Sequence, residues 1–219
     1  MLRSITFLAL TGTLATTAAA DVVNPLVPGW AGTSGTYTAT FNNDAAPFTS
    51  AFSPTSGPGG DGNVSDLGSE GPVLYQTNEG AFLTSTGNIY NLQSTLAFEL
   101  QGTGPVQEAV LNLSTLSFGT SIDFSNVSMY VAAADGTRQD QLADAQLMFI
   151  PPGGPPIETS AYVFDWSGID FEVASWGITF GSAETSSALS GVQVAINTIP
   201  APGALLALGL VGVARRRRS

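Results

Sequence analysis

Oxygen ligands crowd one glycine-rich stretch of this 219-residue chain. Asp61, Asn63, Ser65, Asp66 and Glu70 stand beside Gly57-Pro58-Gly59-Gly60 and Gly62. Calcium takes about six to eight such oxygens, and flexible loops supply them readily. Asp61, Asp66 and Glu70 are therefore the candidate metal ligands, and calcium is the one cofactor the chain suggests. The spacing starts as a twelve-position calcium loop would, Asp-x-Asn-x-Ser. It then departs from that pattern, with Asp66 where the loop needs glycine and Pro72 where it needs its last glutamate. A solvated acidic loop is the competing reading.

A second chemistry would be carboxylate catalysis. Two acids held about 5–10 Å apart can hydrolyse a glycoside. Glu99, Glu108, Asp123, Asp165, Asp170 and Glu172 lie in or near alternating apolar runs and could supply such a pair. Asp170 and Glu172 alternate with Ile169, Phe171 and Val173, which is how any acidic strand presents its solvent face. Trp30, Trp166 and Trp176 could stack on sugar rings. Trp166 is in phase with Tyr162 and Phe164, and Trp176 with Ile178 and Phe180, so core packing is expected for both. Trp30, in Pro28-Gly29-Trp30-Ala31-Gly32, falls outside any strand pattern and is the candidate exposed aromatic.

Composition removes most other chemistry. There is no cysteine and no histidine. Zinc centres, Ser-His-Asp triads and Cys-His dyads are thereby excluded on this chain. There is no lysine, and five of the six Lys/Arg residues are arginines near the ends: Arg3, Arg215, Arg216, Arg217 and Arg218. Residues 21–198 hold only Arg138 against all 17 acidic residues, a net charge of −16. Nucleic acid is not an expected partner, since binding it requires Lys and Arg to neutralise phosphates.

The elements that must position these residues are strands. Short alternating runs rich in Thr, Val, Phe and Tyr are separated by Gly, Pro, Asn and Asp. They include residues 37–41, 96–100, 122–124, 127–131, 145–149, 162–166, 169–173, 176–180 and 192–196. The expected fold is all-β, an antiparallel jelly-roll-like β-sandwich of about ten strands. Asp135-Gly136 should close a hairpin. Residues 151–156, Pro-Pro-Gly-Gly-Pro-Pro, should form a stiff crossover. Ser53–Pro72 should be the longest segment without a strand.

Both ends look like addresses. Arg3, the apolar stretch Ile5–Leu14 and Ala18-Ala19-Ala20 form the charged, apolar and cleavage regions of a secretory signal peptide, with processing between Ala20 and Asp21. At the other end, Pro200-Ala201-Pro202 blocks helix continuation, so a helix can begin only near Gly203. The eleven apolar residues Ala204–Ala214 then lead into Arg215-Arg216-Arg217-Arg218. Such a helix spans about 17 Å, short of the hydrocarbon core of about 30 Å. A buried terminal helix, a permanent anchor and a transient sorting signal are the three readings. Four consecutive arginines straight after an apolar run suit a stop-transfer element.

This tail resembles the PEP-CTERM sorting signal of Gram-negative bacteria, in a Pro-Ala-Pro form with Ala201 at the usual glutamate position. The resemblance covers residues 199–219. It implies recognition by an exosortase in the inner membrane after Sec export, then passage to the cell surface or extracellular polymer. The domain order that follows is signal peptide 1–20, β-sandwich 21–198 and sorting signal 199–219, with helices expected in both terminal segments. The body is loosely similar to the sandwich domains that precede such tails. The expected function is a structural or adhesive surface or matrix protein, not an enzyme. A carbohydrate-binding module acting on extracellular polysaccharide is the first rival, and a carboxylate-only glycosidase the second.

Overall fold

The computed structural model describes residues 22–49, 62–116, 126–149 and 157–198. Among them run thirteen strands: β1 Thr36–Phe41, β2 Asn63–Val64, β3 Val73–Gln76, β4 Phe82–Leu83, β5 Ile89–Asn91, β6 Ala97–Thr103, β7 Glu108–Leu116, β8 Ser128–Ala132, β9 Arg138–Leu142, β10 Ala145–Phe149, β11 Ile157–Asp165, β12 Ser175–Gly181 and β13 Ser187–Asn197. One 3-10 turn, Gly68–Glu70, accompanies them. No helix among the described residues is long and apolar enough to cross a membrane. The expected signal helix with its cleavage residues Ala18 and Ala20, the sorting signal with Pro200, Ala201, Pro202, its helix and Arg215–Arg218, the strand at 122–124 and the crossover at 151–156 lie outside the described residues.

The strands form two antiparallel sheets. Sheet A orders β10-β11-β7-β13-β5-β4, with β1 also paired to β13. Sheet B orders β2-β3-β6-β12-β8-β9. Hairpins β2–β3, β4–β5, β8–β9 and β10–β11 stay within a sheet, and the remaining connections cross between sheets. The alternation read from the sequence drives this arrangement. Phe98, Leu100, Trp176, Ile178, Phe180, Met129 and Val131 of sheet B face Leu111, Leu113, Phe164, Val192, Val194 and Ile196 of sheet A, all buried in one core. Phe98 and Phe180 stack at 5.4 Å. Trp166 is buried and donates its indole N–H to Met129 Sδ at 3.2 Å. Trp176 fits because Gly102 lies beneath it, where an added Cβ would come within 2.2 Å of the indole.

Three expectations change. Residues 169–173 form no strand; they belong to the connection from β11 in sheet A to β12 in sheet B. Their alternation is real, with Val173 buried and Ile169 and Phe171 packed on the core. An extended connection closing the end of a sandwich needs the same two-residue period as a strand but has no ladder partner. Ser53–Pro72 is not free of regular structure, since β2 and the 3-10 turn fall inside it. The strand count also exceeds ten, because short strands such as β4 and β5 carry little periodic signal.

The longest of the missed strands is β7. Its outward residues Asn112 and Ser114 are fully buried, which hides the usual polar-out pattern. A strap, residues 22–26, covers them. Leu26 N donates to Asn112 Oδ1 at 2.9 Å, and Asn112 Nδ2 donates back to Leu26 O at 3.1 Å. Val23 N donates to Ser114 Oγ, and Thr159 Oγ1 donates to Val23 O at 2.6 Å. Side chains of β7 and β11 thus supply the bonds that a neighbouring strand would otherwise give the strap backbone.

Candidate functional site

The outer face of sheet B carries an aromatic and charged cluster and, at one end of β12, a cavity. Along β12 the outward residues are Ser175, Gly177, Thr179 and Gly181, all small, with Glu99 and Gln101 of β6 and Tyr130 of β8 among their register partners. Glycine inside a strand marks a close approach, and both glycines show one. A Cβ on Gly181 would meet Leu96 O at 2.7 Å, and one on Gly177 would sit 2.5 Å from the Tyr130 ring. At the Gly181 end lies a cavity of about 380 Å3, whose walls include Thr77, Thr95, Asn126 and Thr179. Ser128 and Thr179 share a hydroxyl hydrogen bond of 2.7 Å beside it.

At the other end Tyr130 lies over Gly177, its register partner on β12. Its hydroxyl donates to Glu99 Oε1 at 3.0 Å, and Gln101 Nε2 donates to the same oxygen at 2.9 Å. The Arg138 guanidinium sits 3.8 Å from the centre of the Tyr130 ring, a cation–π contact. Arg138 also holds Asp140 in a two-pronged contact, with Nη2 to Oδ1 at 2.6 Å and Nε to Oδ2 at 3.1 Å. This is the one ion pair among the described residues. Burial and then the Glu99 carboxylate push the Tyr130 phenol up to about 12. The hydrogen bond from Arg138 holds Asp140 below the usual carboxylate range.

Hydroxyls, amides, a planar guanidinium and an aromatic ring share this sheet face. Tyr75 stands on the same face, on β3 opposite Glu99. Such a set of groups suits polyhydroxylated ligands, which offer donors and acceptors on their edges and C–H surface on their faces.

The expected site residues are distributed elsewhere. Asn63 and Ser65 point inward and are buried, while Asp66 and Glu70 point outward. Asn63 and Ser65 stand two apart in and just after β2 and share its inward side, whereas Asp66 lies in the turn that follows and Glu70 in the 3-10 turn, so the oxygen set is split. Asp66 instead ties its loop to β1: Thr40 N donates to Oδ1 at 2.8 Å, and Asn43 Nδ2 to Oδ2 at 3.2 Å. Asp61 lies outside the described residues. Among the described residues no group of three acidic ligands is gathered.

Of the acids considered for catalysis, Glu99 belongs to the Tyr130 cluster. Glu108 and Asp165 face each other in register across β7 and β11. Each is engaged by a neighbour, Glu108 by Asn197 Nδ2 at 2.8 Å and Asp165 by the Ser167 amide at 2.8 Å. Asp170 and Glu172 are exposed on the β11–β12 connection, and Asp123 lies outside the described residues. Trp30 is half-buried in a turn, where its carbonyl accepts from Thr33 N and Thr33 Oγ1.

Sequence reasoning missed Tyr130, Gln101 and Gly177 as a unit. Two signals were present: Tyr130 alternates outward between Met129 and Val131, and Gly-x-Thr-x-Gly at 177–181 leaves room on one strand face for a neighbour's close approach.

No family model matches the chain, and no curated protein is similar to it in sequence. Among solved structures, the enzymatically active domain of bacteriophage CBA120 tailspike protein 4 is similar at 11% identity with a TM-score of 0.26. That match covers 76% of this chain and 20% of the tailspike chain, so this chain spans about a fifth of the length of that protein.

Proposed function

We propose that the chain is an exported, exosortase-sorted protein of the cell surface or extracellular matrix, with an adhesive role and no catalytic one. The sandwich would work by contact, and its contact face would be the outer side of sheet B. The supporting observation is the cluster of Tyr130, Glu99, Arg138 and Asp140 on that face, with a separate cavity at the Gly181 end of β12. The carbohydrate-binding reading is favoured by Tyr75 and Tyr130 on that same face, and extracellular polysaccharide is the polymer it would grip. Exosortase and the Sec machinery are transient partners in this reading. The membrane contact ends when the tail is removed.

The test has two arms. Intact mass spectrometry of cell-surface material should give a species that begins at Asp21 and lacks Arg215–Arg218. A stable surface species retaining all four arginines would overturn sorting by cleavage. In the second arm, mature protein is sedimented with extracellular polymer from the host cells. Co-sedimentation should fall about tenfold in Gly177→Val, whose added side chain displaces the Tyr130 ring. Equal co-sedimentation of the two proteins would remove this face from the reading.

A further inference from the structure

A second cavity lies on the other sheet, and among the described residues it shares no lining with the one on sheet B. It is a cavity of about 310 Å3 on the outer side of sheet A, lined by Thr84, Thr86, Asn88, Tyr90 and Ala188. That volume is at the lower end of the range of about 300–1,000 Å3 for small-molecule sites. The β4–β5 hairpin builds it. Thr84 N donates to Asn88 O at 2.8 Å and Gly87 N to Thr84 O at 3.0 Å, with Gly87 at φ +82°. Tyr90 follows core residue Ile89 and so turns outward, in register with Ala188 of β13. Phe82 braces the Tyr90 ring edge-on, with 5.8 Å between centroids.

Hydrogen-bond accounting shows what the pocket can offer. Thr84 Oγ1 accepts from Asn88 N at 3.0 Å and shares one proton with Thr86 Oγ1 at 2.9 Å. Thr86 Oγ1 accepts from Asn88 Nδ2 at 3.0 Å. One threonine proton and one Asn88 amide proton are left over. Asn88 Oδ1 is buried without a protein partner, an arrangement that costs stability unless a ligand or solvent satisfies it. Among the described residues no charged side chain lines the cavity.

We infer that this pocket binds a single neutral sugar unit. A sugar hydroxyl both donates and accepts, which matches an amide beside a spare threonine proton. The ring's C–H face packs on an aromatic such as Tyr90. An anionic ligand would find no cation here, on a body whose net charge is −16. Among the described lining residues a cationic ligand would find no carboxylate. The inference does not rest on the sheet B face.

The test titrates 15N-labelled mature protein with glucose, galactose and mannose, and separately with glucuronate. At least one neutral hexose should move the Asn88 side-chain amide resonance with millimolar affinity, and glucuronate should not. Thr86→Val, at an exposed position, should weaken that binding about tenfold with the fold unchanged. If none of the three hexoses moves the Asn88 amide at large excess, the inference fails. Shifts confined to Gln101 and Tyr130 would also overturn it, while leaving the sheet B face in place. Equal affinity of Thr86→Val and the unsubstituted protein would overturn it as well.

Discussion

At the residue scale, two glycines decide where aromatic rings can lie. Gly102 admits the Trp176 indole into the core, and Gly177 admits the Tyr130 ring on the outer face. The same packing changes how the phenols titrate. Burial raises Tyr37 from 10.0 to about 12, and burial with Glu99 does the same for Tyr130. Between about pH 10 and 12 the unfolded chain loses protons that the folded chain keeps. Stability from these groups is therefore complete below pH 10 and lost as pH rises through 12. Chemical denaturation should show stability falling across that window, with a shallower fall in Tyr130→Phe. A slope unchanged in both Tyr130→Phe and Tyr37→Phe would show that neither phenol titrates as argued.

At the element scale, the strap of residues 22–26 is the feature that alternation could not reveal. Asn112, Ser114 and Thr159 would sit on a solvated face of an ordinary sheet, yet the strap buries them. Asn112→Ala removes both bonds to Leu26 and leaves the Leu26 carbonyl and amide without that partner. The expected cost is about 1–3 kcal/mol, with faster hydrogen exchange at the Leu26 amide than at core amides of β7. Unchanged stability together with unchanged exchange at Leu26 would mean the strap is held by apolar contact alone. Legibility varied by element in a consistent way. The runs at 37–41, 127–131 and 176–180 were readable because one face meets the core and the other meets water. Strand β7 was not, because both its faces are covered, and residues 169–173 were misread because a core-packed connection keeps the same period.

At the scale of the whole molecule, charge is the dominant global property. Arg138 is the only cation in a body with 17 carboxylates, and it is already committed to Asp140 and the Tyr130 ring. Self-repulsion therefore works against the compact state and is screened by salt. Raising sodium chloride from about 0.01 M to about 0.15 M shortens the screening length from about 30 Å to about 8 Å and should raise Tm by a few degrees. No rise would show that the acids are too far apart to repel appreciably. The proposed calcium site is judged on top of this, at matched ionic strength. An extra shift with calcium that vanishes in Asp61→Ala with Glu70→Ala supports it. Equal shifts with the two salts leave screening alone. Asp66 is spared in that test because its carboxylate ties the loop to β1.

Alternation and composition alone determined the fold class, the direction in which most core residues point, and the chemistries closed to a chain without cysteine, histidine or lysine. These are local or additive properties, and each can be counted along one dimension. The sheet order, the strap, the pairing of Glu99 with Tyr130 and the pocket behind Asn88 came only from the tertiary structure. Each joins residues from different strands, and no period in the sequence records which strand will lie beside which. The oxygen-rich loop shows the converse. Proximity in sequence placed five oxygen ligands together, but the chain passes there from β2 into a turn and a 3-10 turn, so Asn63 and Ser65 went inward while Asp66 and Glu70 went out.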